Sequence, residues 1–323
     1  MKKSVIALSV AAAIVAPAAI AEVSISGWVA QEFVTDSDDT GTADDGLESH
    51  SDVGLVFEGS EDLGNGMKAF AVIERETDDA QSGVGDQIVG LEGSFGTLVM
   101  GNMEDFSEGH IASMASVDSS DALSVEPNGA SDTEASTGGV AYVSPSMNGF
   151  QVGIAGYALS GGTPNDDKFD AVDMMLAYSA GGITVKVARE SVNQAAAIGD
   201  KKTTSFGAEY KTGPFRVVAV RQSVDNATTT GTGAAATANL DLDGWMIGAN
   251  YTMGNNKFGI GYMNDEKRDV GATTNTKNKR YILDFTHNMS KRTKIYVTYQ
   301  DNDNTTTGAV DASNLAVGMK HSF

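Results

Sequence analysis

No stretch after Glu22 approaches the ~18 consecutive apolar residues of a membrane-spanning helix, yet the chain is built from short runs in which apolar and polar residues alternate. The closing run is the plainest. Leu315, Val317, Met319, His321 and Phe323 fall on one face of an extended strand, and Ala316, Gly318, Lys320 and Ser322 on the other. A soluble sandwich alternates too, but an aromatic ring ending such a strand has a use at a membrane interface, where hydrocarbon meets headgroups. If this chain spans a membrane, it does so as strands.

Met1–Ala21 carries a basic start at Lys2 and Lys3, an apolar middle and small residues before a cleavage point, the pattern of a secretory signal. Its short run, interrupted by Pro17, argues against a membrane anchor. Residues 22–323 then form a single domain. The chain has no cysteine, so no disulfide framework is available and backbone pairing with burial must hold the fold. A net charge of −21 excludes nucleic acid as a partner, because phosphates need a basic footprint.

The alternating runs are Val23–Phe33, Val53–Glu61, Met67–Glu76, Gln87–Ser94, Thr97–Met103, Gly139–Ser144, Gly149–Tyr157, Ala171–Ser179, Ile183–Glu190, Thr203–Lys211, Phe215–Ser223, Gly244–Met253, Lys257–Asn264, Lys279–His287, Thr293–Gln300 and Ser313–Phe323. They are joined by two kinds of connection. One kind is tight and rich in Gly, Asn and Pro, such as Asp62–Gly66 and Ala180–Gly182; the other is long, polar and acidic, such as Asp36–Ser51. That asymmetry, with sixteen runs and hence an even number, predicts an all-β, sixteen-stranded antiparallel transmembrane β-barrel whose first and last strands pair. The connection of about 104–137 has no strand pattern, and a loop of that length inside a compact domain is usually functional or disordered.

The two parities differ in character. Trp245, Ile247, Ala249 and Tyr251, Phe258, Ile260 and Tyr262, and Tyr281, Leu283 and Phe285 suit lipid, with aromatics toward the strand ends. Asn250, Lys257, Arg280, Asp284, Lys186 and Glu190 suit a wet lumen too wide for side chains to fill. Other chemistry is weakly signalled. Asp36–Gly41 begins like a calcium loop but has Leu47 where the acidic twelfth ligand belongs. The histidines His50, His110, His287 and His321 show no metal-ligand spacing. His287 and Ser290 form a close Ser/His pair, but no Gly-x-Ser-x-Gly elbow accompanies it. No cofactor, metal or catalytic residue is expected.

The stretches 57–69 (FEGSEDLGNGMKA) and 89–101 (VGLEGSFGTLVMG), with Tyr142–Pro145 and the ending Val317–Phe323, resemble the general bacterial porins of Gram-negative outer membranes, the sixteen-stranded trimeric kind. The resemblance covers essentially all of 22–323. It implies a homotrimer in the cell outer membrane, contacting lipid and lipopolysaccharide and assembled through its C-terminal strand, for which Phe323, His321 and Met319 are the candidates. It also implies that the third long loop folds into the lumen and narrows it, its acids facing basic residues across the eyelet.

This sequence departs from that pattern: Gly54, Gly85 and Asn102 occupy places that are commonly basic in such porins, and no Lys or Arg lies between Arg75 and Lys168. The expected acidic constriction comprises Glu104, Asp105, Glu108, Asp118, Asp121 and Glu126, with Asp118 and Asp121 as the mid-loop acids of most interest. The remaining pore wall is assigned to Glu74, Lys68, Arg75, Lys186, Arg216 and Arg280. Carboxylates around a narrow opening concentrate counter-ions, so the expected function is passive diffusion of small hydrophilic solutes and ions, with cations preferred. A substrate-selective channel and a non-conducting adhesin or structural barrel remain open alternatives.

Overall fold

A computed structural model describes residues 22–35, 46–78, 81–123, 127, 138–158, 169–193, 199–229, 238–269, 275–304 and 311–323. Its strands are β1 (Glu22–Thr35), β2 (Leu47–Gly64), β3 (Met67–Asp78), β4 (Gln81–Gly93), β5 (Gly96–Asn102), β6 (Gly139–Val143), β7 (Phe150–Tyr157) and β8 (Ala171–Ala180), followed by β9 (Ile183–Val192), β10 (Lys201–Thr212), β11 (Phe215–Thr229), β12 (Ala238–Met253), β13 (Asn256–Asp269), β14 (Asn275–Asn288), β15 (Thr293–Asn304) and β16 (Ala312–Ser322). Each strand pairs antiparallel with its sequence neighbours, and β1 pairs with β16, so the sheet closes into a sixteen-stranded barrel. Closure leaves no strand edge, which is what a sheet in hydrocarbon requires. The expected fold class is therefore what the chain adopts. No described helix is long and apolar enough to cross a membrane.

Several strands run past the ends that alternation predicts. β2 begins at Leu47 and not Val53, β4 at Gln81 and not Gln87, and β12 at Ala238 and not Gly244. Beyond the hydrocarbon a strand still needs a paired backbone but no apolar face, so the hydrophobic period fades before the ladder does. At the other rim the turns are tight. Gly181 and Gly182 take φ of 58° and 85°, a left-handed pair that costs glycine little and suits a two-residue hairpin.

Register sorts the side chains. On the outer parity Ile260, Leu283 and Met319 are 56 %, 53 % and 52 % exposed, an apolar surface that water would not tolerate and lipid covers. Aromatic pairs flank this band. Phe150 and Tyr178, Phe215 and Tyr251, and Phe258 and Phe285 lie 4.6, 4.8 and 5.2 Å apart near the tight turns, while Tyr262 contacts Trp245 and Tyr281 toward the other rim. On the inner parity sit buried polar groups, among them Thr203, Ser205, Gln222 and Thr298.

The closing seam involves the expected C-terminal residues. Phe323 exchanges backbone hydrogen bonds with Gly27 at 3.0 and 3.2 Å, its ring lying over that glycine. His321 Nδ1 and Thr293 Oγ1 are 2.9 Å apart, and Met319 stands on the lipid face opposite Ile295. Leu283 lies between Ile260 and Tyr299 in the middle of that face. Replacing Leu283 with Arg is expected to cost about 2–4 kcal/mol of folding stability, read from urea unfolding in lipid vesicles. A change below a few tenths would place this face away from hydrocarbon.

Candidate functional site

The segment that follows β5 has its described part, Met103–Leu123, in contact with the inner parity of strand after strand. Glycines on that parity make room for it. The Phe106 ring lies over Gly153 of β7, Ile111 and Met114 over Gly207 of β10, and Val117 over Gly248 of β12 and Gly259 of β13. A side chain at any of these glycines would collide with the segment, so small inner residues form its seat. Ile111, Ala115 and Val117 are 0 % exposed.

At the start of the segment the Phe106 N–H donates to Asp173 Oδ2 of β8 at 2.6 Å, and the Glu104 N–H donates to Asp86 Oδ1 at 3.3 Å. The Asp105 carboxylate accepts from the Glu108 N–H at 2.8 Å, while its backbone oxygen accepts from Gly109. A π-helical turn, Ser107–Ile111, and a 3₁₀ turn, Ala112–Ala115, follow. Asp105 is 1 % exposed. Burial, with the nearby charges of Glu190 and Asp173, pushes its pKa well above the usual carboxylate range, only partly opposed by the Glu108 N–H. His110, packed on Phe106, is pushed down to about 4 by burial and then by Lys186, and is neutral at ordinary pH.

Along the middle, basic side chains meet backbone carbonyls. Lys186 Nζ of β9 donates to His110 O at 3.1 Å, and Lys257 Nζ of β13 to Asp118 O at 3.2 Å. Arg216 of β11 donates through Nη2 to Met114 O at 2.6 Å and through Nη1 to Ser116 O at 2.8 Å, while its Nε pairs with Glu209 at 2.5 Å. Asn250 Nδ2 donates to Val117 O at 2.6 Å. Carbonyls turned against the wall would otherwise be unsatisfied, and these donors supply charge-assisted bonds.

The far end reaches β14 and β1. Ser119 Oγ and Thr286 Oγ1 share a hydrogen bond of 2.7 Å. Glu32 of β1 accepts from Ser120 Oγ at 2.7 Å and from the N–H groups of Asp121 and Ala122 at 3.0 and 2.7 Å.

The expected residues thus divide. Asp105 and Asp118 are buried at 1 % and 2 %, whereas Glu104, Glu108 and Asp121 retain partial exposure. Glu126 lies outside the described residues. Lys186 and Arg216 sit behind the segment, engaged with its carbonyls, and Arg280 shares their inward parity with Ile282 and Asp284. Lys68 and Glu74 take the inner parity of β3. Arg75 does not belong to the wall: it is exposed and opposes Leu55 on the outer parity, because one residue separates it from inward Glu74.

Glu32, Asn250, Lys257 and Thr286 escaped assignment to the site, though their parity was readable; inner glycines on β7, β10, β12 and β13 were the signal that something must seat there. His287 bonds to Asn256 Oδ1 at 2.8 Å, and Ser290 Oγ accepts turn N–H groups of Arg292 and Thr293, so each has a structural partner.

A family model described as Gram-negative porin matches residues 7–307. Major outer membrane protein P.IB of Neisseria meningitidis, in serogroup B and in serogroup A, is 33 % identical over 201 residues, which is 58 % of this chain and 58 % of the relative, so the match spans less than two thirds of those relatives. Among solved structures, Salmonella typhi OmpF in complex with daunomycin superposes with a TM-score of 0.76 at 17 % identity, covering 93 % of this chain and 97 % of that one. An anion-selective porin from Comamonas acidovorans gives 0.70 at 18 % identity, covering 94 % of this chain and 100 % of its own. These structural likenesses concern the fold.

The buried Asp105 has a stability consequence. Its folded pKa is raised, so the folded state keeps a proton that the unfolded chain releases. Stability is accordingly lost as pH climbs from the usual carboxylate range toward that raised value, and is not regained above it. Asp105→Asn keeps an oxygen for the Glu108 N–H and removes the charge; in thermal melts of detergent-solubilised protein it is expected to gain stability at neutral pH and to flatten this decline. A variant that is weaker at neutral pH, with the slope unchanged, would show that Asp105 is not the group responsible.

Proposed function

The chain belongs to the Gram-negative porin family, and on that premise we propose that it forms a water-filled channel for passive diffusion of small hydrophilic solutes and ions, with cations preferred. It is a protein of the cell outer membrane. No reaction is involved, and flux follows gradients. The third long loop, described over Met103–Leu123, narrows the bore, a reading supported by the hydrogen bonds of that part to inward side chains on β8, β9, β11, β13, β14 and β1.

The sign of selectivity does not come from the fold, since the Comamonas acidovorans porin of the same architecture is anion-selective. It rests on how acidic and basic residues are distributed over the inner wall. On the wall that carries the segment, Arg216 is paired with Glu209 and spends its remaining donors on carbonyls, as Lys186 and Lys257 also do. The inner parity of β2 and β3 holds Glu58, Glu74 and Glu76 with Lys68 as the basic counterpart. Gly54 and Gly85, where the family commonly has basic residues, leave room for the Trp28 ring and the Glu74 side chain. That imbalance of carboxylate over cation is the single observation behind cation preference.

The partners follow from the outer face. Arg221 with Asp243 at 2.6 Å and Lys279 with Asp303 at 3.3 Å stand around the Trp245, Tyr262 and Tyr281 belt, a placement suited to lipopolysaccharide headgroups bridged by divalent ions. We assign the protein a homotrimeric state and delivery by the outer-membrane assembly machinery through β16.

Reversal potentials across a potassium chloride gradient in planar bilayers test the central reading. The wild type is expected to favour potassium, and Glu74→Gln with Glu76→Gln to move the potential toward zero. Chloride preference in the wild type would refute the acidic-wall argument, and an unmoved potential in the double variant would exclude these two acids as its source.

A further inference from the structure

We infer that Glu32 is the positioning residue that sets the width of the constriction, an inference that rests on the inward placement of the segment proposed above. Glu32 is 2 % exposed, and its carboxylate gathers the far turn: Oε2 accepts from Ser120 Oγ, and Oε1 accepts from both the Asp121 and Ala122 N–H groups. Ser120 Oγ accepts in turn from the Leu123 N–H at 3.0 Å, so residues 120–123 close around one acid.

The position of Glu32 gives this grip its leverage. The segment leaves the sheet at the end of β5, is held at β8 by the bond of Phe106 to Asp173, and reaches Glu32 on β1 only after contacts with β9 through β14. Ser119 with Thr286 is the adjacent tether, a single neutral hydrogen bond. Three bonds to one side chain, two from backbone N–H groups and one from a hydroxyl, are the stronger hold, and each needs an acceptor where Glu32 provides it. Loss of that acceptor releases residues 120–123 from β1, while the segment before them stays held by Ser119 with Thr286 and by Lys257 with Asp118 O, so its far end can swing across the bore. Glu32 therefore acts through geometry, by fixing residues 120–123, and not through its charge in the ion path.

Single-channel recording with Glu32→Ala, Glu32→Gln and an engineered lock separates these roles. The chain has no cysteine, so Ser119→Cys with Thr286→Cys introduces one pair, at side chains already 2.7 Å apart. Glu32→Ala is expected to lose steady openings, giving flicker and a larger mean conductance. Glu32→Gln, neutral but with an oxygen for both N–H groups, is expected to stay close to wild type. Oxidation of the cysteine pair in the Glu32→Ala background restores quiet wild-type conductance, and reduction abolishes it. Equal effects of Gln and Ala, with no recovery on oxidation, would overturn the positioning role and give Glu32 an electrostatic one. A cysteine pair that fails to join even with Glu32 intact would overturn the inward placement itself, and the role of Glu32 with it. Retention of heat-modifiable mobility confirms that each variant has a closed barrel.

Discussion

The structure depends on one constraint: in hydrocarbon no water is present to satisfy a backbone N–H or C=O, so every such group must be paired within the protein. A sheet achieves this only by closing, and here it closes where β1 meets β16 and Phe323 bonds to Gly27. Closure fixes register, and register fixes which side of the wall each residue occupies. Leu283 and Asp284 illustrate the stakes. A slip of one residue would send the carboxylate into lipid and the leucine into the lumen.

The inner face repeats the problem at smaller scale. A segment laid against a wall turns part of its own backbone away from water, and those carbonyls must find donors. Arg216, Lys186, Lys257 and Asn250 supply them, while glycines such as Gly207 and Gly248 let the segment approach closely. The cation preference proposed above rests on that arrangement together with the acids on the inner parity of β2 and β3.

Much of the fold was legible because lipid imposes a period of two, visible in runs such as Phe258, Ile260 and Tyr262. The strand ends were not, since the ladder continues into regions such as 47–52 and 81–86 where no apolar face is required. Site residues were harder to read. Acidity singled out Asp105 and Asp118, but both are buried, because an acid on the segment can serve as readily against the wall as toward the bore. Arg75 was misplaced by one position of parity. Glu32 carried no local mark beyond its alternation, and its role emerges only once residues 120–123, some ninety positions later, arrive beside it.

A barrel of sixteen strands is wide enough to leave an open aqueous bore, so the narrowing has to come from something placed within it. Exclusion of neutral polymers of graded size from the conducting channel measures this directly, comparing the wild type with a variant in which residues 107–120 are replaced by a short glycine and serine linker. A small size limit is expected in the wild type and a clearly larger one in the variant. Equal limits, both matching an unobstructed bore, would contradict it.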